Sequence, residues 1–294
     1  MIIKAVAKVN LGLDVVSERE DGYHEVRMIM QTVAMHDLVE MKVTAGKPGI
    51  RLEADIPYIP TDDKNLAVRA AALLMEEFNV KEDGLLIRLT KFIPVAAGLA
   101  GGSADAAAAL IGTNKLFGLG LQPKELMRRG KKIGADVPYC IMKGTALAEG
   151  IGEVLTQIHP IPSCFILIAK PNVSVSTKKV FEQLEMERIK HHPDILGMLD
   201  ALNANDLHKL AAKCENILER VTGPKVPDIA KIERIMKENG ALCAIMSGSG
   251  PSVFGIFEDE KKAYEAKKEI LRQKLSQRPF VTRPYNNGGL RNGR

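Results

Sequence analysis

Pro94-Val-Ala-Ala-Gly-Leu-Ala-Gly-Gly-Ser-Ala-Asp-Ala-Ala-Ala-Ala109 is the stretch on which the reading of this chain turns. Residues 85–90, Leu-Leu-Ile-Arg-Leu-Thr, read as a strand that feeds it, and the alanines after it have high helix propensity. Between strand and helix lies a Pro- and Gly-punctuated loop. Its glycines, Gly98, Gly101 and Gly102, allow positive φ and present no side chain to an approaching group. Ser103 reads as the N-cap, so the free N–H groups of the first helical turn face the loop. Their partial positive charge favours an anion, phosphate above all. Pro94, Val95, Ala96, Ala97, Gly98, Leu99, Ala100, Gly101, Gly102, Ser103 and Ala104 are therefore read as a nucleotide-phosphate cradle. A Gly-rich turn capped by serine is the plainer alternative. The segment is neither a Walker A loop nor a Gly-x-Gly-x-x-Gly dinucleotide fingerprint.

With 294 residues the chain is long enough for one large or two ordinary domains. Hydrophobic residues at 46% and charged residues at 26% are the proportions of a soluble globular protein. No apolar run approaches the roughly 20 residues that span a bilayer. The segment Met1-Ile-Ile-Lys-Ala-Val lacks the regions of a signal peptide, so no membrane partner and a cytoplasmic location are expected. Cys140, Cys164, Cys214 and Cys243 are far apart and read as buried free thiols rather than metal ligands. The net charge of +5 is dispersed, apart from Arg128-Arg-Gly-Lys-Lys132, where Arg128, Lys131 and Lys132 read as the solvated face of a helix. The chain has no Trp and no aromatic interleaving for base stacking, which argues against nucleic acid. An anionic small molecule suits the charge as well as a polymer does.

Along the chain, Ile3, Ala5, Ala7, Val9 and Leu11 alternate as one face of a strand, followed by a turn at residues 20–22. Strand-like runs follow at 26–43 and 50–54. Asn65 then caps a helix striped by Leu66, Ala70, Leu73, Leu74 and Phe78. After the helix from Ser103 to about Leu116, residues 118–123 break the chain before another helix ends near Gly134. Residues 159–163 read as a hinge before a strand at 164–169. Helices dominate from Thr177 to Gly240, and strands at 241–246, 253–257 and 280–282 enclose a charged helix, which suggests a compact α+β sandwich. The polar, Gly-rich residues 286–294 read as a disordered tail.

Several side chains could carry chemistry. A second Gly/Ser loop, Ser247-Gly-Ser-Gly-Pro-Ser252, is either a plain hairpin connection or a second N–H nest for the same polyanion. Lys8 and Asn10 lie on the face of the first strand opposite its apolar row, where an exposed Lys is the default. In Gly134-Ala-Asp-Val-Pro138, Asp136 is either a turn residue or a base whose carboxylate a nearby Lys would keep ionised. Asp21-Gly-Tyr-His24 offers an aromatic ring and an imidazole together, which suits a flat, hydrogen-bonding ligand such as a nucleobase. A half-buried Tyr beside a surface His would look the same.

Taken together these pieces resemble the GHMP kinases, whose three motifs are matched by residues 8–13, 94–107 and 244–253. Residues 7–11, 19–24, 134–138 and 148–153 add more specific signatures, and the resemblance runs over about residues 1–285. It implies an α+β fold of two domains, residues 1–158 with a left-handed βαβ unit and residues 159–285 of ferredoxin-like topology, with the active site between them. It also implies that ATP, with Mg²⁺, passes its γ-phosphoryl group to a hydroxyl of a small molecule carrying a cytidine diphosphate group. Asp136 matches the family's base and Lys8 its partner. Asn10, Tyr23, His24, Thr177 and Phe181 match substrate contacts, with Tyr23 and Phe181 sandwiching the cytosine, while Asn65 and Lys91 match positions near the adenosine. Val6 stands where the family often has Pro, and Ala100 where it commonly has Gly, so Ala100 either keeps ordinary angles or reshapes the loop. No dedicated Mg²⁺ carboxylate is evident; Ser103, phosphate oxygens and water would serve. Rival readings are a kinase of the homoserine or mevalonate type and a non-catalytic ligand-binding protein of the same fold.

Overall fold

The computed structural model describes residues 1–286; residues 287–294, the greater part of the expected tail 286–294, lie outside the described residues. Two long strands open the chain, β1 (Ile2–Glu18) and β2 (His24–Thr44). The chain forms two compact units, one of residues 1–7, 35–93 and 100–142, the other of 8–34, 94–99 and the residues from 143 onward. Both long strands contribute to both units.

The first unit contains β3 (Gly49–Ala54), α1 (Leu66–Glu77), β4 (Gly84–Thr90), α2 (Gly101–Leu116), α3 (Pro123–Gly130) and α4 (Val137–Met142). β3 and β4 pair in parallel and are joined by α1, a βαβ unit, while β4 runs antiparallel to β2 from Leu38↔Thr90 to Thr44↔Gly84. Asn65 caps α1 as expected, its side chain accepting from Ala67 N at 2.9 Å. The buried face of α1 is rotated from the expected stripe: Ala67, Ala70, Ala71, Leu74 and Met75 are inside, while Leu66 and Leu73 are half-buried and Phe78 is exposed. Small side chains explain the rotation. They let α1 approach the equally small Ala104, Ala107 and Ala108 of α2, in one core with Val39, Met41, Leu85 and Ile87. Arg128, Lys131 and Lys132 are exposed as expected, whereas the intervening Arg129 is buried and forms a two-pronged pair with Glu77.

The second unit contains β5 (Thr145–Glu149), β6 (Val154–Gln157), β7 (Phe165–Ala169), α5 (Thr177–Glu182), α6 (Ile195–Asn203), α7 (Leu207–Ala212), β8 (Glu215–Asn216), α8 (Glu219–Thr222), α9 (Asp228–Glu238), β9 (Cys243–Met246), β10 (Val253–Phe257), α10 (Glu260–Arg272) and β11 (Phe280–Thr282). Its antiparallel sheet has the order β11-β7-β10-β9, the βαββαβ arrangement of a ferredoxin-like sandwich, with α9 and α10 packed on it. β5 pairs with β2 and β6, and β8 adds to β1 in parallel at Gly12 and Leu13. These three short strands were not evident from hydropathy. All four cysteines are free; Cys214 is only half-buried, and burial pushes the Cys164 thiol up to about 12. Among the described residues no helix is long and apolar enough to cross a membrane.

Candidate active site

In the second unit the strand Lys8–Asn10, the first half of the glycine loop and the second Gly/Ser loop meet. Lys8 and Asn10 are both buried, at 5% and 0% exposure, so the expectation of an exposed strand lysine does not hold. β1 is enclosed on both faces from residue 5 to residue 15, and a buried ammonium needs a partner. Lys8 Nζ donates to Asn10 Oδ1 at 2.5 Å, and its backbone N–H donates to Leu99 O at 3.2 Å. Asn10 N donates to Ser247 Oγ at 3.3 Å, and Ser247 Oγ donates to Gly98 O at 3.0 Å. Gly98 has φ of +74°, and a Cβ on it would overlap the Ser247 carbonyl. Only glycine fits there, on grounds of both angle and space.

The second loop is held from beneath by residues that drew no attention as sequence. Asn216 Nδ2 donates to Met246 O at 2.8 Å and Gly248 O at 2.7 Å, while its Oδ1 accepts from Leu218 N at 3.0 Å. Glu219 accepts from Met246 N at 2.9 Å, and Thr222 Oγ1 donates to Ser249 O at 3.1 Å. Ser249 Oγ in turn shares a 2.8 Å hydrogen bond with Thr177 Oγ1 at the start of α5. One turn along that helix, the Phe181 ring lies 5.2 Å from the His24 ring, with planes inclined at 42°. The ring beside Phe181 is thus that of His24, while Tyr23 is 60% exposed. The turn that presents them is closed by Arg19 N to Tyr23 O at 2.7 Å and by Tyr23 N to Asp21 Oδ1 at 3.1 Å.

In the first unit the site residues gather at the start of α2. Ser103 is not the N-cap: α2 begins at Gly101, and Ala100 occupies the cap with φ of +56°. Ala100 does not keep ordinary angles: it takes the left-handed conformation itself, as Ala96 does at +51°. That conformation costs an alanine about 1–2 kcal/mol. It also starts the helix three residues earlier than a serine cap would, and Gly101, Gly102 and Ser103 carry the N–H groups that have no partner within the helix. Gly101 and Gly102 do not have positive φ; the space left at Gly101 is taken by Ile93, whose Cγ2 would stand 3.0 Å from a Cβ. Leu66, next to Asn65, approaches Gly102, and Asn65 spends its amide on Pro60 O at 2.8 Å. The Gly134 turn lies beside the Ser103 hydroxyl, 3.9 Å from where a Cβ would stand. Two residues on, half-buried Asp136 opens α4, its carbonyl accepting from Cys140 N at 3.0 Å.

Lys91 is 6% exposed, and its ammonium is committed to Asp37 and Asp105. Burial alone would lower its pKa, but the two carboxylates outweigh burial and raise it. Burial pushes Asp105 up to about 7 against the pull of Lys91. Neither carboxylate was singled out from sequence, although a lone Asp inside Ala104–Ala109 was a visible signal: an ionisable group in an apolar helix needs a partner.

A βαβ unit, a ferredoxin-like sandwich and paired glycine loops are the parts of a small-molecule kinase of the GHMP class. Residues 65–144 match the GHMP kinases N terminal domain and residues 198–277 the GHMP kinases C terminal domain, and the chain belongs to this family. It is 50% identical over 280 residues to the 4-diphosphocytidyl-2-C-methyl-D-erythritol kinase of Lachnospira eligens, covering 95% of this chain and 96% of that one. The enzyme of the same name from Lachnoclostridium phytofermentans is 47% identical over 281 residues, 96% of each chain. A crystal structure of 4-(cytidine 5'-diphospho)-2C-methyl-D-erythritol kinase is similar with a TM-score of 0.81 at 30% identity, covering 97% of this chain and 99% of that one. Homoserine kinase from Cytophaga hutchinsonii, at a TM-score of 0.72 and 22% identity over 98% and 97% of the two chains, shares the fold.

Proposed function

We propose that the chain transfers the γ-phosphoryl group of ATP to the 2-hydroxyl of 4-diphosphocytidyl-2-C-methyl-D-erythritol, releasing ADP, in non-mevalonate isoprenoid precursor synthesis. The observation that carries this reading is 50% identity over 95% of the chain to a kinase of that name. The arrangement of the second unit supports it. Thr177 hydrogen-bonds the second glycine loop, while Phe181 on the same short helix stacks near His24, so a ring-binding surface and a phosphate-binding loop are joined by one element.

Phosphoryl transfer is chiefly a matter of positioning and of charge stabilisation, which suits a site built from backbone N–H groups. The free N–H groups at the start of α2 take the ATP phosphates, with Asn65 on the adenosine side. Asp136 receives the proton of the acceptor hydroxyl as it attacks, and Lys8 is the second residue assigned to catalysis. His24 and Phe181 hold the cytosine, Tyr23 borders it, and Asn10 and Thr177 contact the substrate. Mg²⁺ bound to the triphosphate supplies charge neutralisation. The described residues hold no group of three or more His, Cys, Asp or Glu side chains that could hold a metal ion, and the hydroxyl of Ser103 at the α2 start is the donor assigned to it. An ATP-consuming step on a nucleotide-linked substrate is assigned to the cytoplasm.

The test is a coupled ADP-release assay with 4-diphosphocytidyl-2-C-methyl-D-erythritol, homoserine and mevalonate in parallel. Turnover with the first alone is expected. Turnover confined to either of the others overturns the assignment.

A further inference from the structure

Three buried charges, those of Lys91, Asp37 and Asp105, take no part in the chemistry just described. Asp37 Oδ2 accepts from Lys91 Nζ, and its Oδ1 accepts from the backbone of Phe92 at 2.5 Å and of Ile93 at 2.8 Å. One carboxylate thus binds three successive residues immediately before Pro94. Lys91 Nζ also donates to Asp105 Oδ2 at 2.5 Å, on the second turn of α2, immediately after the glycine loop. We infer that Asp37, Lys91 and Asp105 form a clasp across the two ends of the phosphate loop, in which Lys91 is a positioning residue and not a nucleotide ligand. The inference rests on reading residues 94–104 as the ATP loop.

Four observations carry it. The Lys91 ammonium stands 3.6 Å from where a Cβ of Gly101 would be, so the clasp lies directly beneath the first helical residue. Ala100, which turns the chain into α2, is held at φ of +56°, a conformation that persists only where its surroundings over-determine it. The clasp supplies that constraint, because it fixes the chain at residue 93 and again at residue 105. The Lys91 side chain is only 3% exposed, and moving it to a nucleotide would strand two buried carboxylates. Finally, Asp105 Oδ1 is buried without a partner among the described residues, so this carboxyl is not there for stability alone.

Asp105→Ala opens the clasp and leaves Lys91 and Asp37 as a neutral pair. The KM for ATP should rise about tenfold or more while that for the cytidine substrate stays within about twofold. Thermal stability should change little, because the lost hydrogen bond is offset by removal of a carboxyl that burial disfavours. Asp105→Asn keeps an oxygen that accepts from Lys91 and should restore most of the ATP affinity. An unchanged or lowered KM for ATP in Asp105→Ala overturns the inference, the lowered value meaning that the freed lysine reaches the nucleotide. Equal rises for both substrates, with a lower Tm and no rescue by Asn, overturn it in favour of a purely structural role. Should Asp105→Ala not fold, Asp105→Leu, which fills the site with an apolar side chain and accepts nothing from Lys91, makes the same comparison, and an unchanged KM for ATP there is equally decisive. Calorimetric titration of the wild-type protein with ATP separates the two readings. No binding by wild type removes the ATP-loop reading itself, whereas wild-type binding with unaffected variants removes only the clasp.

Discussion

Asp136 and Ala100 show how much a single residue's backbone setting decides. Because Asp136 opens α4 through its carbonyl, Asp136→Asn leaves that helix start intact while removing the base. It should lower kcat by about 10²–10⁴-fold with little change in ATP Kd, as read by steady-state kinetics and calorimetry. Wild-type kcat in this variant would make Asp136 structural. Ala100→Gly should stabilise the protein by about 1 kcal/mol in chemical denaturation, since glycine takes the left-handed conformation without the alanine's penalty. A loss of stability would mean that the strain at Ala100 is not real. The ring pair leads to a third expectation. His24→Ala should weaken the cytidine substrate by about 1–3 kcal/mol, the scale of stacking on an aromatic surface, with ATP affinity unchanged. Exposed Tyr23→Ala should cost less. A larger loss for Tyr23 than for His24 would restore the Tyr23–Phe181 sandwich that the sequence led us to expect.

At the scale of elements, the loop between β9 and β10 owes its shape to the helices beneath it. Glu219 on α8 accepts from Met246 N, and Glu233 on α9 faces Glu219 with its own Oε1 buried and unpartnered. Burial, followed by repulsion from Glu219, pushes Glu233 up to about 8 from an ordinary 4.5. A carboxyl whose folded pKa is raised binds more protons folded than unfolded, so its contribution is favourable at low pH. It is lost as pH rises from about 4.5 through 8. Glu233→Gln should therefore raise Tm clearly at about pH 9 and hardly at about pH 5. A gain of equal size at both values would show that the effect is not proton linkage.

For the whole molecule, the chain passes between its two units at 7/8, 34/35, 93/94, 99/100 and 142/143. The first two of these crossings fall inside β1 and β2, so neither unit is a separable stretch of chain. Unfolding should accordingly give a single calorimetric transition whose van't Hoff and calorimetric enthalpies agree. Two resolved transitions would show that the shared strands do not couple the units.

What could be read from the sequence was what depends on near neighbours. Alternation marked β1, turn residues marked the breaks, Asn65 announced α1, and two glycine-rich loops beside strands read as anion sites. These signals arise from propensity and periodicity over a few residues; the two-domain fold and the roles expected of the site residues came from the family resemblance of the motifs. The environments of Lys8 and Lys91 were not legible, nor were Asp37, Asp105 and Asn216, the α2 start at Gly101, or the pairing of Phe181 with His24. Each depends on partners distant in sequence: Lys91 lies 54 residues from Asp37, Asn216 30 from Met246, and Asn10 237 from Ser247. A lysine just past the end of a strand, as Lys91 is, has the same local sequence whether its ammonium meets water or two carboxylates. Only the tertiary structure determines which, because burial is set by what packs over a residue and the low dielectric of that packing makes the partner obligatory.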